Sequence, residues 1–119
     1  MSQGIARRQL LALGLALPAF GLSVRRGAAH NGVIHGTIHE VTMTGMAFVP
    51  ATVSAAVGDG IRWTNADLTP HTATARDGSW TSPALKKGDN FVLEVTAGLA
   101  GDYKCRFHPT MKGQISVTG

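Results

Sequence analysis

The sequence of 119 residues contains one cysteine, Cys105, so a fold held together by intramolecular disulfides is excluded. Charged residues make up only 15% of the chain and hydrophobic residues 44%, which excludes a disordered chain and a protein that coats nucleic acid. The chain is short enough to form one domain and little more. We therefore expect a single small folded domain that does not bind nucleic acid.

Acidic residues are absent from the first part of the chain, where the first of them is Glu40. The formal charge of +4 includes four cations in this part, namely Arg7, Arg8, Arg25 and Arg26. Residues 30–119 carry the other 7 cations and all 7 anions, so their formal charge is zero. The pI near 9.9 consequently describes residues 1–29 and says little about what the remaining domain binds.

Residues 1–29 have the pattern of an export signal peptide. Two arginines precede the apolar run Leu10–Val24, and Gly27-Ala28-Ala29 offers small residues for cleavage. A membrane anchor is the alternative, but this run has 15 residues and contains glycine and proline. About 20 apolar residues are needed to cross a bilayer, so we favour a cleaved signal and expect no stable membrane insertion after its removal.

The pair Arg7-Arg8 also suggests the route of export. The segment Ala6-Arg7-Arg8-Gln9-Leu10-Leu11 resembles a twin-arginine export motif, although Sec signals also carry arginines. A protein exported by the twin-arginine route folds before it crosses the membrane. Either route places the mature domain, residues 30–119, outside the cytoplasm, most simply in a bacterial periplasm.

The mature domain has no sustained helical period and contains short alternating apolar stretches separated by turn residues. The long polar segment 76–90 is typical of a loop. Seven or eight short strands of this kind predict an all-β, two-sheet sandwich. The clearest candidate strands are Val33–Val41, Thr52–Val57, Ile61–Asn65, Phe91–Val95, Tyr103–Cys105 and Gln114–Thr118.

A group of potential metal ligands precedes the last candidate strand. Cys105, His108 and Met111 follow one another at intervals of three residues, and His71 lies 34 residues before the cysteine. A sandwich can bring the segment containing His71 beside this loop. A thiolate, a thioether and two imidazoles suit copper in both oxidation states, and this ligand set is typical of blue-copper electron-transfer sites.

The motifs of residues 30–119 resemble those of the cupredoxin family, especially of its amicyanin and pseudoazurin type, with plastocyanin as a further relative. The two short ligand spacings look most like those of amicyanin. The matching motifs are Met46-x-Phe48-x-Pro50, Val57-Gly58-Asp59-x-Ile61-x-Trp63-x-Asn65, Pro70-His71-Thr72, Gly101-Asp102-Tyr103-x-Cys105-x-x-His108-Pro109-x-Met111 and Lys112-Gly113-Gln114-Ile115-x-Val117.

This resemblance implies an eight-stranded Greek-key sandwich with one type 1 copper ion. His71, Cys105 and His108 would bind the copper, and Met111 would be its axial ligand. The implied function is that of a periplasmic one-electron carrier between transient redox partners, such as a dehydrogenase, a cytochrome or a terminal reductase, and we expect it to act as a monomer. A copper-binding module for storage, delivery or resistance is the alternative. An enzyme is not expected, because about ninety residues hardly supply a substrate cavity.

Other residues have two interpretations. Thr72 stands where the family often has asparagine or serine, and its backbone N–H can still donate to the cysteine sulfur. His30, His35 and His39 are interpreted as surface residues rather than a metal cluster, and Met43, Met46, Trp63 and Phe91 as core residues. Trp80 is expected either to pack internally or to contact a partner. Around His108 we expect an apolar patch ringed by three cations, with the patch formed by Pro70, Phe107, Pro109 and Thr110 and the ring by Arg76, Arg106 and Lys112.

Overall fold

The computed structural model describes residues 34–119, so the predicted signal peptide and His30 lie outside the described residues. The described chain forms eight strands, and it contains no helix long and apolar enough to cross a membrane. The strands are β1 (Ile38–Thr44), β2 (Ala47–Val49), β3 (Thr52–Ala56), β4 (Gly60–Asn65), β5 (Thr74–Ala75), β6 (Asn90–Glu94), β7 (Asp102–Lys104) and β8 (Lys112–Thr118).

The strands form two four-stranded sheets, which confirms the predicted all-β sandwich. One sheet has the order β2-β1-β4-β6, and the other has the order β3-β8-β7-β5. Strands β1 and β4 pair in parallel, as do β3 and β8, while the other pairs are antiparallel. Both parallel pairs join strands that are not consecutive in sequence, as the crossovers of a Greek-key sandwich require.

The core lies between the sheets and follows from the alternation along the strands. Met43 on β1 and Trp63 on β4 are fully buried, as predicted, and Phe91 on β6 packs partly exposed against the same cluster. Trp80 belongs to the packing rather than to a free surface, because its ring lies 5.6 Å from that of Trp63. Its indole N–H also donates to the carbonyl of Ala100 at 3.0 Å.

Met46 was expected in the core, and this prediction is wrong. Met46 is exposed because it lies in the tight turn between β1 and β2, where it adopts a φ of 60°. Its backbone N–H donates to Asp67 at 3.0 Å. The turn therefore uses the backbone of this residue and leaves the thioether in solvent.

His39 is held by Asp59 at the start of β4, away from the strand end that leads to His71. The imidazole Nε2 of His39 lies 2.8 Å from Asp59 Oδ2, and the same carboxylate accepts from the N–H groups of Thr37 and Ala56 at 3.0 Å each. His35 precedes β1 and is exposed. Among residues 34–119, neither histidine belongs to a metal-ligating group, which agrees with the surface interpretation.

The hydrogen bonds to Asp59 predict a loss of stability in acid. Those from His39, Ala56 and Thr37 hold the pKa of Asp59 below its usual range. Ionised Asp59 therefore stabilises the fold above the unfolded pKa of about 4, and this contribution disappears as the pH falls through the lower folded value. We expect Asp59→Asn to lower the urea midpoint at neutral pH and to differ less from wild type at about pH 3. Asp102→Asn, at an exposed strand position, is the control, and a pH-independent difference would contradict the prediction.

Candidate metal centre

Cys105 and Met111 lie at the two ends of the loop that joins the antiparallel strands β7 and β8. The N–H of Cys105 donates to the carbonyl of Met111 at 3.0 Å, and the N–H of Met111 donates to the carbonyl of His108 at 2.8 Å. The loop is thus closed by its own backbone hydrogen bonds. These bonds fix the three predicted ligands Cys105, His108 and Met111 relative to the sheet.

His71 reaches the same loop from the connection between β4 and β5. Its backbone forms a two-way bridge with Leu85, with N–H to carbonyl distances of 3.1 and 2.8 Å. This connection becomes regular strand only at Thr74, where β5 begins. His71 is therefore held by a segment of the polar loop 76–90, whose structural role the sequence did not indicate.

The side chains of His71, Cys105 and His108 come together at one point. The sulfur of Cys105 lies 3.8 Å from Nδ1 of His71 and 3.6 Å from Nδ1 of His108. One ligand atom from each residue lies within 4.8 Å of the other two. His71, Cys105 and Met111 are buried, whereas His108 is partly exposed. The site is therefore enclosed by protein except at the edge of His108.

Asp67 determines how His71 faces this site. The Nε2–H of His71 donates to Asp67 Oδ2 at 2.8 Å, and Nδ1 of the same ring faces the sulfur of Cys105. Hydrogen bonds from the backbone of Met46, from His71 and from the backbone of Gly45 hold the pKa of Asp67 at about 2. The carboxylate is thus ionised at neutral pH. Sequence analysis missed Asp67, although an acidic residue four positions before a candidate ligand was visible.

Asn65 is a second positioning residue that the sequence did not reveal. Its side chain is fully buried at the end of β4. The amide nitrogen donates to the carbonyls of Thr69 and Leu85 at 2.9 and 2.8 Å, and its oxygen accepts from the N–H of Asp67 at 2.8 Å. Asn65 therefore connects the two segments that hold His71. Sequence analysis identified Asn65 only as the last residue of a candidate strand and as part of a family motif.

Thr72 contacts the cysteine loop through both its backbone and its side chain. Its N–H donates to the sulfur of Cys105 at 3.4 Å, as expected for this position. Its hydroxyl accepts from the N–H of Arg106 at 2.9 Å and also bonds the hydroxyl of Thr74 at 2.9 Å. The threonine thus retains a side-chain link to the loop.

Thr72→Val tests the contribution of this hydroxyl. The substitution keeps the shape and leaves the N–H of Arg106 without an acceptor, so we expect a loss of about 1–3 kcal/mol in unfolding free energy. Amide exchange at Arg106 should accelerate as the loop opens more readily. Thr72→Ser, which keeps the hydroxyl, is the control. Equal stability and equal exchange in the two variants would contradict a role for the hydroxyl.

The surface beside His108 is apolar, as predicted. Pro70, Phe107, Pro109 and Thr110 are exposed, and Leu68, two residues before Pro70 in the sequence, is 86% exposed. The ring of three cations around this patch stays a prediction. Arg76 and Lys112 line one hollow across the strands β8, β7 and the end of β5, while Arg106 directly follows Cys105.

The donor set fits one type 1 copper ion. A thiolate sulfur and two imidazole nitrogens favour copper, and the N–H of Thr72 donates to the sulfur. In addition, no acidic residue belongs to the group of ligand atoms among the described residues. A site for a hard cation such as calcium would require several oxygen ligands.

Comparison with known proteins agrees with this site. The family model described as a cupredoxin-like domain matches residues 12–117. No curated protein sequence matches the chain. A reduced mutant of amicyanin is 30% identical, with a TM-score of 0.57, over 67% of this chain and 81% of that chain. An oxidised amicyanin mutant is 27% identical over the same shares, with a TM-score of 0.60.

A third solved structure supports the fold alone. Amicyanin from Paracoccus versutus (Thiobacillus versutus) is 24% identical, over 67% of this chain and 80% of that chain, with a TM-score of 0.58. The family match covers most of the chain, and its known structural relatives have the two-sheet fold described above. The chain therefore belongs to the cupredoxin family, and it is similar to amicyanin.

Proposed function

We propose that this protein is a blue-copper electron carrier, with His71, Cys105 and His108 as ligands and Met111 as the axial thioether. The observation that carries the proposal is the convergence of one sulfur and two imidazole nitrogens within 4.8 Å in a buried site. Copper bound there would cycle between Cu(I) and Cu(II) and so carry one electron. The surrounding protein has to keep the ligand positions nearly unchanged during this cycle.

The residues around the ligands supply this rigidity. Asp67 fixes the ring of His71, Thr72 connects the His71 segment to the cysteine loop, and backbone hydrogen bonds close that loop. The N–H of Thr72 also donates to the sulfur of Cys105 at 3.4 Å. A preorganised site of this kind needs little rearrangement when its charge changes, which favours rapid electron transfer.

His108 is the proposed route for the electron between the site and a partner. It is the ligand with an exposed edge, and Phe107 and Pro109 beside it are exposed apolar residues. A small apolar contact with few charges to desolvate suits a complex that forms and dissociates quickly. We therefore expect transient protein partners, such as a dehydrogenase, a cytochrome or a terminal reductase.

The proposed location is the periplasm. The twin arginines, the short apolar run and the small residues of segment 1–29 support export. We propose that the chain after cleavage is residues 30–119. Fractionation of an epitope-tagged full-length chain tests this: a shorter product in the periplasm is expected, and an uncleaved product in the cytoplasm would contradict export.

Addition of Cu(II) to the purified protein tests the main proposal. We expect an intense blue absorption, an electron paramagnetic resonance signal of type 1 copper, and reversible one-electron voltammetry. A colourless protein that binds Cu(I) without reversible oxidation would contradict electron transfer and favour storage or delivery. Among the described residues, the group of side chains that could hold a metal is the cysteine-centred set His71, Cys105 and His108.

A further inference from the structure

The outer face of the sheet β3-β8-β7-β5 carries an unusual pair of lysines. Lys112 on β8 lies directly opposite Lys104 on β7. Side chains that are directly opposite in an antiparallel pair point to the same face. Tyr103 and Met111, which directly precede the two lysines, are buried, so alternation places Lys104 and Lys112 on the solvent side. Like charges in this arrangement destabilise a sheet.

No ion pair offsets this repulsion within residues 34–119. The ion pairs of the described residues use Arg62, His39 and His71, and neither lysine takes part in them. Arg62 on the other sheet shows the contrast, since it forms hydrogen bonds to Glu40 at 2.6 to 3.2 Å. The two sheets therefore differ, and the lysines of β7 and β8 keep their charge available for another molecule.

Two arginines extend this charged face. The N–H of Arg76 donates to the carbonyl of Asp102 at 2.9 Å, which places Arg76 at the edge of the same sheet. Arg106 directly follows Cys105 and is exposed. We call Arg76, Lys104, Arg106 and Lys112 the basic face. Among the described residues, none of the four forms an ion pair with a side chain.

An open hollow of about 300 Å³ crosses the basic face. Arg76 and Lys112 line it, together with the polar side chains of Thr52 and Gln114. Asp102 is its one acidic lining residue, and it forms no ion pair with either cation. The hollow is thus lined by two cations and two neutral polar residues, against one acidic residue. A site that binds a carboxylate side chain requires such an excess of hydrogen-bond donors.

The basic face adjoins the candidate metal centre along the chain. Lys112 follows the predicted axial ligand Met111, and Arg106 follows Cys105. A molecule bound to this face would therefore rest beside the ligand loop. Since residues 30–119 have no net formal charge, attraction of an acidic partner has to come from the arrangement of charges rather than from their sum.

We propose that the basic face docks an acidic redox partner whose surface is rich in carboxylates. This inference rests on the proposed function and adds the chemistry of the partner and the side on which it binds. The carboxylates would contact Lys104, Lys112 and the hollow, and the apolar surface at His108 would complete the contact. The attraction would be strong at low ionic strength and screened at high ionic strength.

Nuclear magnetic resonance with the paramagnetic anion hexacyanochromate(III) maps the face directly. In the folded protein, either without copper or with Cu(I), we expect the amide signals of residues 104, 106 and 112–114 to broaden at low salt and to recover at high salt. An octaglutamate peptide should shift the same amides and compete with the anion. Broadening that is spread evenly over the cations, or centred on Lys86 and Lys87, would overturn the proposal. Octaglutamate that shifts none of the amides of residues 104, 106 and 112–114 would also overturn it.

Lys104→Glu is the decisive variant, because it converts the repulsive pair into an attractive one and should fold at least as well as wild type. We expect it to bind the anion about tenfold more weakly at low salt. Lys87→Glu makes the same change of charge at an exposed turn and should retain the binding. Unchanged binding in Lys104→Glu, or equal weakening in both variants, would overturn the proposal. The mapping needs only the folded chain, so a failure to bind copper would contradict the proposed function without altering this result.

Oxidation kinetics connect the face with electron transfer. One electron passes from the reduced protein to hexacyanoferrate(III), which becomes hexacyanoferrate(II). At low salt we expect Lys104→Glu to slow this reaction about tenfold. Oxidation by the cation tris(phenanthroline)cobalt(III) should not slow in this variant. Equal rates with the anion in wild type and Lys104→Glu would overturn the docking role.

Discussion

Replacement of Cys105 with serine is expected to abolish the blue absorption and the reversible one-electron couple. The thiolate is the soft ligand that distinguishes a blue-copper site, and a serine hydroxyl stays protonated and binds copper weakly. Residual binding by His71 and His108 should give a pale cupric site. The measurements are the visible spectrum, the electron paramagnetic resonance spectrum and the voltammogram after addition of Cu(II).

This variant should remain folded. Cys105 is fully buried, and serine is close to it in shape. A buried hydroxyl costs about 1–3 kcal/mol when it lacks a partner, but the N–H of Thr72, now 3.4 Å from the sulfur, can donate to it. A cooperative unfolding transition therefore serves as the check. Intense blue colour in folded Cys105→Ser would contradict the assignment of the thiolate.

Met111→Leu is the matched control for this experiment. Leucine retains most of the volume of the buried methionine, and such exchanges usually cost less than about 1.5 kcal/mol. An axial thioether is a weak and long ligand in sites of this class. We therefore expect Met111→Leu to remain blue while its reduction potential changes. Loss of all colour in both variants would indicate disruption of the loop rather than loss of one ligand.

Local patterns in the sequence predicted most of the strands, although β1 begins and ends later than the candidate Val33–Val41 and the short strands β2 and β5 were not among the clearest candidates. The alternation around Trp63 placed it in the core, and the spacing of Cys105, His108 and Met111 placed three ligand types on one short loop. Both features depend on residues close in sequence. His71 required the resemblance to a known family, because its approach to Cys105 depends on how strands distant in sequence cross between the sheets.

The positioning residues could not be predicted because their roles depend on the tertiary structure. Asp67 accepts from the turn at Gly45 and Met46 as well as from His71, and these groups converge only after β1 and β4 have paired. The prediction for Met46 was wrong because this residue lies in a turn with positive φ, and the hydrophobic pattern of the sequence does not reveal such a turn. The basic face likewise results from strand register, which places Lys104 opposite Lys112.

Asn65→Ala is expected to lower the unfolding free energy by about 3 kcal/mol, because it removes the three hydrogen bonds of a buried side chain and leaves the N–H of Asp67 without its acceptor. The affected groups are the carbonyls of Thr69 and Leu85 and the N–H of Asp67. All three belong to segments that hold His71. Chemical denaturation measures the stability, and competition with a chelator measures the affinity for copper.

Copper affinity distinguishes a positioning role of Asn65 from a purely structural one. If Asn65 holds His71 in place, copper affinity should fall even under conditions where Asn65→Ala is fully folded. Asn90→Ala makes the same change at an exposed strand position and should alter stability by less than about 0.5 kcal/mol. Unchanged copper affinity in folded Asn65→Ala would show that the two segments hold His71 without this side chain. A weakened site in that variant would mean that a residue outside the ligand set helps to determine where the ligand lies.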